Sequence, residues 1–153
     1  MGDSRRAEIF ARWISRNFPH VKSILCVADG RGELARRLAN KKYLVRVIEY
    51  RPRFEGRAHK RIQYQKGWFS EDTEIHEDLV VGMHPDEATA PIILAAKKSK
   101  KPWAVVPCCI KGPCSDGVGS FKGWVARLKS LDYPVHDTML KMNGKNTVLY
   151  CKR

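Results

Sequence analysis

The amino-acid sequence predicts an α/β fold, a three-layer sandwich whose mostly parallel sheet is closed by a C-terminal antiparallel hairpin. Three observations predict it. Short apolar runs alternate with stretches of helical period along the chain. Two of these runs, Asp78-Leu79-Val80-Val81-Gly82-Met83-His84 and residues 102–109, are apolar without alternation, as strands buried on both faces are. The last two β-like runs, 135–142 and 147–151, are joined through Asn143-Gly144, a strong signal for an antiparallel turn.

The elements follow in order. Residues 4–18 carry Ile9, Phe10, Trp13, Ile14 and Phe18 on one helical face and several arginines on the other, with Asp3 or Ser4 as cap and Pro19 as stop. A strand at 23–28, a helix at 33–40 and a second strand at 44–49 come next. Residues 51–61 hold too few apolar side chains to form core. Residues 62–65 read as a short third strand, and Trp68-Phe69 either stacks on a ligand or closes the core. After the strand at 78–84, residues 89–99 form a helix. Pro91 is tolerable only in its first turn, so Thr89 is the cap and Asp86 stays free in the loop. A strand at 102–109, a glycine-rich loop and a helix at 121–131 lead to the hairpin.

Size and charge narrow the function classes. A chain of 153 residues fits one domain, 1–153, with no room for a separate substrate domain. No apolar run is long enough to span a bilayer and no secretory core precedes Gly30, so an intracellular, cytoplasmic protein with reduced thiols is expected. Five cysteines, an odd number and mostly within apolar runs, argue against a disulfide framework. The net charge of +13, from 29 Lys and Arg against 16 Asp and Glu, favours a polyanionic partner such as RNA, with solubility as the plainer explanation.

The chain is organised around residues 24–38, where Ile24-Leu25-Cys26-Val27-Ala28 breaks into Asp29-Gly30-Arg31-Gly32 and resumes with helical spacing. A glycine turn opening a helix leaves backbone N–H groups free and lets a ligand approach the main chain. Glu49, at the end of the second strand, is placed to hold two ribose hydroxyls. Gly30, Gly32 and Ala35 satisfy G-x-G-x-x-G/A, and such a match alone is weak. An NAD(P)-binding domain is disfavoured by the short chain and the terminal hairpin.

With its glycine turn, acidic second-strand end and terminal hairpin, the chain resembles the class I S-adenosylmethionine-dependent methyltransferases, which are Rossmann-like. Asp29-Gly30-Arg31-Gly32-Glu33-Leu34 is similar to their glycine turn. His84-Pro85-Asp86-Glu87-Ala88-Thr89 with Pro107-Cys108-Cys109 is loosely similar to the tRNA 2′-O-methyltransferase branch. The resemblance implies S-adenosylmethionine as cofactor, with Ala28, Asp29, Gly30 and Gly32 against its methionine part and Glu49 on its ribose. Trp68 and His84 complete the expected cofactor site. Cys26 stands where the family has an acidic residue and Ala28 where it has the first glycine. Asp29 is then the candidate carboxylate for the cofactor's ammonium, and Glu71 or Asp72 for the adenine.

His84 and Asp86 are the candidate catalytic residues, His84 as a base oriented by Asp86; a histidine that caps the next helix explains the same residues structurally. Cys108, Cys109 and Cys114 could hold zinc together with Cys151 or His84, but neighbouring residues of a strand point to opposite faces and structural sites come as spaced pairs, so buried apolar thiols are expected and no metal site is assigned. Arg51, Arg53, Arg57, Lys60 and Arg61 are the candidate substrate-binding cluster. Lys97, Lys98, Lys100 and Lys101 need only a helix end. The expected function is a methyltransferase acting on RNA or another anionic substrate. The alternative is a non-catalytic nucleic-acid- or protein-binding domain on a degenerate methyltransferase fold. The sequence assigns no oligomeric state.

Overall fold

The computed structural model describes residues 3–51 and 58–153. Helix α1 (Arg6–Asn17) precedes β1 (Ser23–Val27), α2 (Glu33–Asn40), β2 (Leu44–Glu49), β3 (Ile62–Lys66) and β4 (Leu79–Met83). A 3-10 turn (Asp86–Ala88) runs into α3 (Thr89–Ser99), followed by β5 (Trp103–Val106), α4 (Phe121–Lys129), β6 (His136–Met139) and β7 (Thr147–Cys151). The seven strands form one sheet in the order β3-β2-β1-β4-β5-β7-β6. Strands β1 to β5 pair in parallel, while β7 pairs antiparallel with both β5 and β6.

Strand alternation divides the core into two layers. Ile24 and Cys26 of β1 face α1 and α2, packing with Phe10, Ile14, Leu34 and Leu38. Leu25 and Val27 face the other way, toward Ile92 and Ile93 of α3 and Trp124 and Leu128 of α4. Each central strand is thus covered on both sides, which is why β4 and β5 are apolar throughout. The hairpin differs in kind: β6 is an edge strand with mostly exposed residues.

Several local expectations are corrected. No side chain caps α1; Asp3 accepts the N–H of Arg5, the residue before the helix. Thr89 is the first residue of α3 and not its cap, and its hydroxyl donates to the Asp86 carbonyl. Asp86 is accordingly fixed at the start of the 3-10 turn and is not free in a loop. The pair Trp68-Phe69 splits: Phe69 enters the core and Trp68 stays exposed.

Candidate functional site

All parallel strands end at one edge of the sheet, and the chain reverses there through left-handed backbone. Ala28 (φ 59°), Gly30 (φ 52°) and Gly32 (φ 76°) form the turn between β1 and α2. The Ala28 N–H donates to the Ile48 carbonyl at 2.9 Å, tying the turn to β2. The Gly30 N–H donates to Glu49 Oε2 at 2.9 Å, and the Arg51 N–H donates to Glu49 Oε1 at 2.9 Å. One carboxylate therefore links the ends of the first two strands.

Asp29 is turned inward, where Oδ1 and Oδ2 accept the N–H groups of Leu34 and Ala35 at 3.2 and 2.8 Å and cap α2. This corrects its expected place on the cofactor's ammonium, because both oxygens are directed at the helix. Burial outweighs these two bonds and pushes its carboxyl up to about 7. Cys26 does not substitute for an acidic residue either: it is a fully buried core thiol that burial raises well above the usual range.

Over this edge lies a cleft of about 890 Å³, a common size for a small-molecule site. Ala28, Asp29, Gly30, Glu49, Trp68, His84 and Asp86 line it; Gly32 does not, serving instead as the N-terminal cap of α2. Trp68 is 66% exposed and stacks on Tyr50, with ring centroids 4.0 Å apart and planes 22° from parallel. Sequence reasoning missed Tyr50, whose one signal is its place directly after Glu49. Seven carboxylate residues and four Lys or Arg line the cleft, so it is acidic despite the net charge of the chain. Glu71 and Asp72 are among them, with Asp72 paired to Lys98 at 2.6 Å.

His84 and Asp86 both have left-handed backbone, each at φ 50°. They do not form the expected dyad. His84 Nε2 lies 3.1 Å from the Lys145 carbonyl in the C-terminal hairpin, which assigns its proton to Nε2 and leaves Nδ1 open. The structural bond thus goes to the hairpin and not to the next helix. Burial, the largest influence, lowers the affinity of the imidazole for a second proton, so the ring is neutral at pH 7. Asp86 Oδ1 instead accepts from Cys108 Sγ at 3.6 Å.

The expected burial fails for Cys109, which is exposed, and holds only in part for Cys108 and Cys114, which are half-buried, while Cys26 and Cys151 are core thiols. Strand β5 ends at Val106, so the alternation that would separate Cys108 and Cys109 no longer applies. Their Sγ atoms are 3.5 Å apart, with Cys108 half-buried and Cys109 exposed. Burial, then the neighbouring Cys109 and Asp86, pushes the Cys108 thiol up to about 12.

The predicted basic cluster is not one surface. Arg51 lines the cleft, and Arg53 and Arg57 lie outside the described residues. Lys60 and Arg61 precede β3 and so lie at the opposite, amino edge, because a parallel crossover must return there before the next strand starts. Arg61 Nη1 donates to the Lys42 carbonyl at 3.1 Å and borders a shallow hollow with Lys22 and Lys41.

No family model and no curated protein matches the chain. Solved structures do. An amino pentose methyltransferase of calicheamicin biosynthesis from Micromonospora echinaspora, with S-adenosylmethionine bound, is 11% identical with a TM-score of 0.65, covering 97% of this chain and 90% of that one. A sugar N-methyltransferase from Streptoalloteichus is 13% identical with a TM-score of 0.65, covering 98% and 87%. Magnesium protoporphyrin IX methyltransferase from Synechocystis, also with the cofactor bound, is 13% identical with a TM-score of 0.65, covering 95% and 77%. These neighbours lend no support to the tRNA 2′-O-methyltransferase branch, and the residues that carried that similarity form the 3-10 turn and the cysteine pair beside it. The chain has the fold of the class I S-adenosylmethionine-dependent methyltransferases.

Proposed function

We propose that the protein is an S-adenosylmethionine-dependent methyltransferase acting on an anionic substrate. The observation that carries this reading is the Glu49 carboxylate, hydrogen-bonded to the Gly30 N–H at the head of a cleft of about 890 Å³. The site suits the cofactor in shape and charge. A Cβ built on Gly30 meets nothing within 4 Å, so the glycine turn borders open space, and the acidic lining matches a cofactor with a net positive charge.

In this reading the free lone pairs of Glu49 hold the ribose hydroxyls, and the exposed Trp68–Tyr50 pair offers a face to the adenine. Backbone at Ala28 and Gly30 lies along the methionine part. When bound, the cofactor supplies an electrophilic methyl group. The residues of the chain supply position, which dominates such a transfer, and His84 Nδ1 accepts a proton where the methyl acceptor is a hydroxyl. The charge of +13 supports a polyanion such as RNA as substrate, held by Arg51 at the rim and by cations outside the acidic cleft.

Thermal melting with S-adenosylhomocysteine, S-adenosylmethionine and NAD in parallel tests the cofactor. The first two are expected to raise Tm and NAD to leave it unchanged. Glu49→Ala is expected to fold yet lose the S-adenosylhomocysteine shift. No shift in the native protein overturns the enzyme and leaves a binding domain on the same fold. RNA affinity is expected to fall steeply between 50 and 200 mM salt, as roughly 10³-fold losses do for six or more phosphate contacts; affinity indifferent to salt removes the polyanion.

A further inference from the structure

We infer that Asp86, Cys108 and Cys109 form a site for a thiolate-binding divalent cation, with Zn²⁺ the natural occupant. The ligand atoms of these three residues lie within 4.8 Å of one another. The individual edges match a tetrahedral ion. With Zn–S near 2.3 Å and Zn–O near 2.0 Å, tetrahedral angles place two sulfurs about 3.8 Å apart and sulfur and oxygen about 3.5 Å apart. Cys108 Sγ lies 3.5 Å from Cys109 Sγ and 3.6 Å from Asp86 Oδ1. Two edges of the cluster thus match those of a zinc site before any ion enters, and the third is no longer than 4.8 Å.

The backbone holds it so. Gly112 (φ 79°) brings the loop after β5 against the 3-10 turn, where an added Cβ would meet the Glu87 carbonyl oxygen at 2.6 Å. That close approach sets the loop after the cysteine pair against the turn that carries Asp86. Among the described residues no Lys or Arg pairs with Asp86, so a bound cation would meet a carboxylate without a competing partner. Two thiolates and a carboxylate favour Zn²⁺ over Mg²⁺ or Ca²⁺, which take oxygen ligands. Binding forms two metal–sulfur bonds and one metal–oxygen bond and releases the two thiol protons to solvent. Three protein ligands leave a fourth position for water or a substrate atom, and Asp86 places the ion at the wall of the cleft. The site stands on this geometry and not on the methyltransferase reading.

Cobalt(II) titration of the reduced protein under nitrogen tests it. The expected result is one Co²⁺ per chain with a thiolate charge-transfer band and intense tetrahedral visible bands, displaced by Zn²⁺. Cys108→Ser and Cys109→Ser each remove one of the two cobalt–sulfur bonds and are expected at least to halve the charge-transfer band at unchanged far-UV circular dichroism. Cys109 is exposed, so its variant decides the matter if the other fails to fold. Asp86→Asn is expected to weaken binding at least roughly tenfold, since loss of mere supporting partners costs that much. A band absent from the native protein, or one undiminished in both serine variants, overturns the site.

Discussion

The two edges of the sheet share one apolar interior and have become different surfaces. At the amino edge, Asp78 accepts the N–H groups of Lys22 and Ser23 at 2.9 and 3.1 Å, and Lys22, Lys41, Lys42 and Arg61 surround a shallow hollow. At the carboxyl edge, Asp29 likewise accepts two backbone N–H groups, but at the floor of the acidic cleft. The same bonding produces opposite electrostatics. Bonds from Lys22 and Ser23 hold the Asp78 carboxyl below its ordinary value, whereas burial pushes Asp29 up to about 7. Access to water, and not the number of hydrogen bonds, sets the two carboxyls apart.

The largest expected effect breaks this contrast directly. Asp78 has a depressed folded pKa, so it stabilises the fold above the unfolded value near pH 3.9 and loses that contribution as acid protonates it. Asp78→Asn keeps one acceptor oxygen and loses the charge of a largely solvated group, so it should cost up to about 1 kcal/mol at pH 7, with the deficit shrinking at low pH. Asp29 has a raised folded pKa, so its protonated form contributes stability below the unfolded value, and that contribution is lost as pH rises through about 7. Asp29→Asn should flatten the decline in stability between pH 4 and 7. Urea unfolding at several pH values measures both, and parallel pH profiles for the two variants would remove the contrast.

A smaller effect sharpens the carboxyl edge alone. Trp68→Ala removes an exposed ring stacked on Tyr50. Affinity for S-adenosylhomocysteine is expected to fall roughly two- to tenfold, in line with about 0.5–1.5 kcal/mol for an aromatic pair. Unfolding of the free protein should change by no more than about 0.5 kcal/mol. Calorimetric titration and melting separate the two readouts. Smallest of all, Ala28→Gly relieves a left-handed alanine, a strain of about 1–2 kcal/mol. The extra freedom of unfolded glycine offsets about 0.5–1 kcal/mol of that, leaving a slight rise in Tm. A fall in Tm would mean that the Ala28 methyl contributes more by packing than it costs in strain.

Much of the site was legible because its signals are local. Gly30 and Gly32 mark a turn through their own backbone freedom, and Glu49 announces itself as a charge at the end of an apolar run. Trp68 showed only that an aromatic was available, since whether it or Phe69 enters the core depends on which faces β2 and α3 present. Arg51 and Arg61 look alike in sequence. The parallel pairing of β2 and β3 puts them at opposite edges, which neither side chain signals. Cys108 and Cys109 misled by a rule that holds only inside a strand, and the strand stops two residues before Cys108.

By itself the sequence determined the succession of strands and helices, the glycine turn and its acidic neighbour, because hydrophobic period and backbone preference act over a few residues. The tertiary structure decided the partners: Lys145 for His84 and Cys108 for Asp86. Those pairings join groups up to 61 residues apart, and only the packing of distant elements at a shared sheet edge brings such groups within bonding distance.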